Sequence, residues 1–203
     1  MISNWLEPDW NQLRPDDAAL PAMWEAVRIV PVFARSEDIN AFLVEMERVN
    51  TNGGIVFARF ELHAGRTFHW FASRNRWDEM DFFRSFLLHR VVRETCPELK
   101  LGESFLESPV FEWGSSLTLD GELARALVIG GPYKRFEGSP RQAKDLAGRF
   151  CSALFDDCFS EVEVFRSWKP WSAWFYGIAW DFTFIIIDKR LSIVTILCST
   201  DTD

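Results

Sequence analysis

Ile39, Phe42, Leu43 and Met46 recur at the i, i+3, i+4, i+7 spacing of one helix face. Ser36 stands where an N-cap belongs, and Glu37 and Asp38 fall in the first turn, where the helix dipole favours acids. Asn50-Thr51-Asn52-Gly53-Gly54 ends the pattern. An amphipathic helix is therefore predicted over 37–49. A second is predicted over 140–155. There Ser139, Pro140 and Gln142 make a capping box, and Ala143, Leu146, Ala147, Phe150 and Leu154 mark the buried face. Phe82, Phe83, Phe86, Leu87 and Val91 give a third helix, 78–93, with a broad apolar side, stopped before Pro97. His89 shares that side and reads as a core-edge histidine.

Period-two alternation predicts the strands. Residues 55–73 read as a hairpin around His63-Ala64-Gly65, with Leu62 opposite Arg66 and Phe60 opposite Phe68. That register gathers Ala58, Phe60, Leu62, Phe68 and Trp70 on one face, and Arg59, Glu61, His63, Thr67 and His69 on the other. Residues 28–34 form a further strand, confined by Pro31 to an edge or a bulge. Short strands follow near 110–113 and 124–129. With the strand at 161–166 and the helix between them, 124–129 makes a right-handed βαβ crossover. Segments 180–187 and 191–198 close the chain as a hairpin across Asp188-Lys189-Arg190. Apolar residues occupy both of its faces, which places it centrally in a sheet covered on both sides.

These elements predict a single α+β domain over 1–203. A mixed, mainly antiparallel sheet of about seven strands is covered by three main helices near 37–49, 78–94 and 140–155. Residues 1–20 form an irregular N-terminal arm, and Pro21 opens a short helix to Val27. The hydrophobic content of 48% suffices for the core of a 203-residue chain. Phe (19) and Trp (10) far outnumber Tyr (2), so most rings are expected inside.

The net charge of −8 argues against nucleic acid and anionic membranes as partners, and favours basic ones. Residues 59–93 run the other way locally, with seven arginines against four acids. Cys96, Cys151, Cys158 and Cys198 lie far apart without metal-ligand spacing, so reduced, buried thiols are expected, as in the cytoplasm. The first ten residues lack the pattern of a signal peptide, and the longest apolar run is too short to span a bilayer. A soluble protein without cofactor or metal is expected.

Candidate chemistry falls in four places. Arg59, Glu61, His63 and His69 combine carboxylate, imidazole and guanidinium, which could serve as base, orienting acid and anion clamp. The alternative is a solvated sheet face. The glycine-rich loop 130–138 before the 140–155 helix offers Lys134, Arg135 and Ser139 to an anion, though it is neither the phosphate-loop nor the dinucleotide pattern. Segment 168–176 holds Trp168, Trp171, Trp174 and Tyr176, residue types frequent at binding hot spots. Asp181, Asp201 and Asp203 offer carboxylates near the C-terminus.

No catalytic motif is present. The leading expectation is a non-enzymatic interaction protein, of immunity or adaptor type, binding another protein through an acidic, tryptophan-rich surface. The alternative is an enzyme or small-ligand binder acting on an anionic substrate through the polar face of 55–73.

Overall fold

The structure, a computed structural model, describes residues 5–102, 105 and 109–203. Residues 1–4 of the expected arm lie outside them. One antiparallel sheet of six strands runs in the order β1-β2-β6-β5-β4-β3. The strands are β1 (Arg28–Pro31), β2 (Gly54–His63), β3 (Glu112–Trp113), β4 (Val162–Ser167), β5 (Phe182–Asp188) and β6 (Ile193–Thr200). The helices are α1 (Leu20–Ala26), α2 (Glu37–Val49), α3 (Arg66–Ala72), α4 (Phe82–Leu87), α5 (Arg90–Thr95), α6 (Ser116–Ile129) and α7 (Pro140–Phe155). No helix among the described residues is long and apolar enough to cross a membrane.

Strand pleating sends alternate side chains of the central pair to opposite faces. Ile185, Ile187, Val194 and Ile196 enter one core with Phe68, Phe71, Phe82 and Phe86 of α3 and α4. Phe182, Phe184, Ile186 and Leu197 enter another, with Phe42, Leu123, Leu127 and Phe150 of α2, α6 and α7. This two-sided burial is why β5 and β6 carry few polar residues. The N-cap of α2 and the capping box of α7 form as their sequences imply. Ser36 accepts from the Ile39 N–H, and Ser139 and Gln142 bond reciprocally. Pro31 ends an edge strand, where its missing N–H costs no ladder bond.

Three expectations are overturned. Residues 66–72 form helix α3 rather than a second hairpin strand. Gly65 sits in extended backbone as its N-cap instead of in a left-handed turn. Phe68 and Trp70 fit a two-residue period, but Phe68, Phe71 and Ala72 fit a helical one, and all four are buried. β2 needs no partner there, since β1 and β6 already pair with its two edges.

Residues 124–129 belong to α6, whose buried Leu119, Leu123, Ala124 and Leu127 face α7 and the sheet. The βαβ crossover therefore does not exist, and the sheet is antiparallel throughout, with six strands among the described residues rather than about seven. The helix expected over 78–93 is broken. Asp81 takes a left-handed conformation before α4, and extended His89 caps α5 through an Nδ1 that accepts the Val91 N–H at 3.3 Å.

The facing pair Ile185 and Ile196 is wholly buried at the centre of the sheet. Truncating Ile196 to Ala should cost about 2–5 kcal/mol of unfolding free energy. Ser139→Ala should cost about 1 kcal/mol, since it frays only the start of α7. Urea denaturation of both variants beside the wild type measures the two losses.

Candidate functional site

The connection from β4 to β5 crosses the end of the sheet and distributes its aromatics to both sides. Trp168 leans edge-on against Phe182 and Phe184, each 6.0 Å away between ring centroids, and remains 42% exposed. Trp171 turns to the opposite core, where its indole N–H donates to the Thr183 hydroxyl at 2.9 Å. Trp174 is half-buried against Phe175. Tyr176 is 53% exposed, with its hydroxyl 3.5 Å from the Asn52 carbonyl. Asp181 fixes the connection, accepting the Gly177 and Ile178 N–H groups and the Thr200 hydroxyl. The segment expected to carry one aromatic surface is thus split between core and rim.

Beside Trp168 lies a small pocket of about 50 Å³. Trp168, Trp180, Phe182, Ile129 and Met46 supply apolar walls, and Arg125, Asn50 and Ser199 line it as well. Ser199 is 1% exposed and its hydroxyl has no hydrogen-bond partner. A buried polar atom left unpaired costs on the order of 1–3 kcal/mol, so a group that bonded it would recover part of that. Arg125 is exposed, with no ion pair or hydrogen bond to described residues. Apolar walls with a few convergent polar groups are the usual make-up of a recognition pocket.

The glycine-rich loop closes one side of this region and is not an anion cradle. Gly130 ends α6 at a φ of +62°, and a Cβ at Gly131 would fall 2.0 Å from the Oδ2 of Asp201. Asp201 is completely buried. Its Oδ1 accepts the Asn52 N–H at 2.8 Å, while Oδ2 has no partner. Arg135 donates to the carbonyls of Ile129 and Gly131, capping the end of α6. Ser139 serves as N-cap of α7, and Lys134 stands exposed. The three residues expected to hold an anion are therefore not gathered around one point.

The proposed base, acid and clamp are also divided. Arg59, Glu61 and His63 project from one face of β2, with His63 Nε2 3.4 Å from Glu61 Oε1 in solvent. Burial lowers the Arg59 pKa, and Asp188 opposes that shift. His69, on α3, lies on the other side of the sheet. It lines a groove of about 540 Å³ with Arg66, Glu7 and Gln12 of the N-terminal arm. Burial lowers its pKa, against the raising effect of its bond to the Ala64 backbone.

Asp181 and Asp201 fall on opposite faces and are used structurally, and Asp203 is exposed. Among the described residues no three His, Cys, Asp or Glu side chains gather as metal ligands do. All four cysteines are free, and burial pushes the Cys96 and Cys151 thiols up to about 12.

Arg125, Asn50, Ile129 and Ser199 were not legible as a group, because they come from three distant elements. Nor was the buried Lys189, which donates to Asn75 at 2.6 Å. Burial lowers its pKa while neighbouring Glu163 opposes that shift. Comparison with models of known protein families finds no match, and a search of curated proteins finds none either.

His69 and His89 both have pKa values lowered by burial from the ordinary 6.5, with Arg90 adding to the effect at His89. The folded state then binds fewer protons than the unfolded one. Stability is complete above the unfolded value and falls as pH drops below it toward the folded values. Unfolding midpoints should therefore decline between about pH 7.5 and about pH 5.5. The double variant His69→Gln, His89→Asn, which keeps a capping side chain on α5, should show a shallower decline in the same denaturant titrations.

Proposed function

We propose that the protein is a non-enzymatic interaction protein that binds a protein partner, seating one of its side chains in the pocket beside Trp168. The observation that carries this reading is the pairing of a half-exposed tryptophan with an unengaged arginine around an apolar recess whose buried Ser199 hydroxyl lacks a partner. Tryptophan and arginine dominate binding hot spots, because the indole buries a large rigid area and the guanidinium forms several directed hydrogen bonds. Ile129 at 42% exposure and Tyr176 at 53% extend the apolar rim. The charge of −8 favours a partner that is basic overall, through long-range attraction that speeds encounter. An immunity-type or adaptor role suits such a surface.

An enzyme acting on an anionic substrate is less well supported, since Arg59, Glu61 and His63 do not share a cavity with His69.

Tagged wild-type protein should retain a defined partner from its native host. Trp168→Ala and Arg125→Glu should each weaken the purified complex by about 2 kcal/mol, roughly thirtyfold in Kd. Thermal melts should confirm that both variants remain folded. Isothermal titration checks the loss, and unchanged affinity in both variants would refute the reading.

A further inference from the structure

β2 is ten residues long, but its two edges are paired unequally. Its inner edge pairs with β6 from Gly54 to Glu61, whereas β1 covers its outer edge only from Phe60 to His63. One more bond, from the Val32 N–H to the Arg59 carbonyl, extends that cover before the chain turns away. In an antiparallel ladder, every second residue directs both its N–H and its C=O to the same side. Arg59 points outward, so Phe57 and Ile55 do too, and no strand among the described residues meets them there.

This bare edge is the floor of a groove. Adjoining cavities of about 190 and about 100 Å³ share Arg35, Phe57 and Thr95. Glu47 of α2 stands on one wall, and Glu98, just past α5, on the other. Proteins usually block such edges to prevent pairing with other chains. Here the block, among the described residues, is the exposed side chain of Arg35. Arg35 donates to the Phe57 carbonyl at 3.1 Å, with its guanidinium 5.1 Å from the centre of the Phe57 ring. Glu47 and Glu98 are both exposed, and neither forms an ion pair with a described residue.

We infer that this groove accepts a short, extended, basic peptide segment, which adds to the sheet as a strand beside Ile55 and Phe57 and displaces Arg35. The main chain would supply the bonds. Successive side chains of a strand point to opposite faces. A pair of adjacent lysines would therefore direct one ammonium toward Glu47 and the other toward Glu98. The open stretch admits about four residues, on the order of 13 Å of strand. This surface lies on the other side of α2 from the Trp168 pocket, and the inference stands independently of that pocket.

The probe is a fluorescently labelled, acetylated threonine-valine-lysine-lysine-valine-threonine amide, titrated by anisotropy into the full-length protein. Binding is expected, together with slowed hydrogen exchange at the amides of Ile55 and Phe57. N-methylation of the probe's sheet-facing amides, exchange of its lysines for glutamates, or the double variant Glu47→Lys, Glu98→Lys should each weaken binding at least about tenfold. Arg35→Ala should strengthen it by freeing the Phe57 carbonyl. Trp168→Ala should leave it unchanged, which separates this result from the reading of the Trp168 pocket. Absence of binding up to about 1 mM, or equal binding of the N-methylated probe (simple charge adsorption), would overturn the inference.

Discussion

The pairing of β5 with β6, from Phe182 opposite Ser199 to Asp188 opposite Ile193, is the constraint on which the rest of the molecule depends. Neither strand can form its apolar environment alone. Each has a core on both faces, so the helices of both layers must be present before the pair is dry. Its ends are held by charged groups rather than by hydrophobic contact. At the turn, Asp188 accepts the Leu191 N–H and pairs with Arg190, while Lys189 reaches Asn75 beyond α3. At the open end, Asp181 holds the β4–β5 connection, and Asp201 holds the residues leading into β2. Carboxylates that accept several N–H groups replace the water they lost, which is how a fully buried acid is tolerated.

That arrangement also decides where a binding surface can lie. Helices cover both faces of the sheet, so side chains in its middle meet only other core residues. What remains accessible is its margin. One margin is the open end of the central pair, where Trp168 rests edge-on upon Phe182 and Phe184 of one core while Trp171 enters the other. The other is the outer side of β2, which outruns its neighbour because the chain turns away from it after Val32. Gly131 belongs to the first margin. Its lack of a side chain lets the loop close over Asp201, and that closure places Gly130 and Ile129 at the pocket's rim.

Legibility in the sequence followed the range of the interactions involved. α2 and α7 were readable because a cap and a single apolar stripe specify them locally. The central hairpin was readable because burial on both faces leaves a run that no half-exposed strand would carry. α3 was not, since its seven residues satisfy two periods at once and only the prior claim of β1 and β6 on β2 excludes the strand. α6 was obscured by Gly121 within it, and by the exposed apolar residues Leu117, Val128 and Ile129, which blur the buried stripe of Leu119, Leu123 and Leu127. Of the candidate sites, the exposure of Trp168 and Tyr176 followed from the proline-broken segment that carries them. The burial of Trp171 required knowing that Thr183 waits beneath it. Ser199 and Arg125 carry no local signal, because their meaning arises only where β6 passes the end of α6.

The polarity of the two margins follows from the same geometry. At the open end, the backbone bonds of β5 and β6 are already satisfied within the sheet, so a partner proposed there would be read through side chains. This is why the pocket offers an indole, a guanidinium and one hydroxyl. At the β2 edge the side chains of Phe57 and Val56 are committed to the two cores, and the unused groups are amides and carbonyls. The peptide proposed there would be held through its main chain, with Glu47 and Glu98 adding only a charge preference. One surface is therefore suited to discriminating a particular side chain, and the other to accepting any extended segment of the right charge. α2 stands between them and contributes to both, with Met46 and Asn50 facing the pocket and Leu43 and Glu47 facing the groove. Phe42 of this helix packs on Phe150 of α7, 4.6 Å apart between ring centroids, which ties it to the helical layer on that face of the sheet.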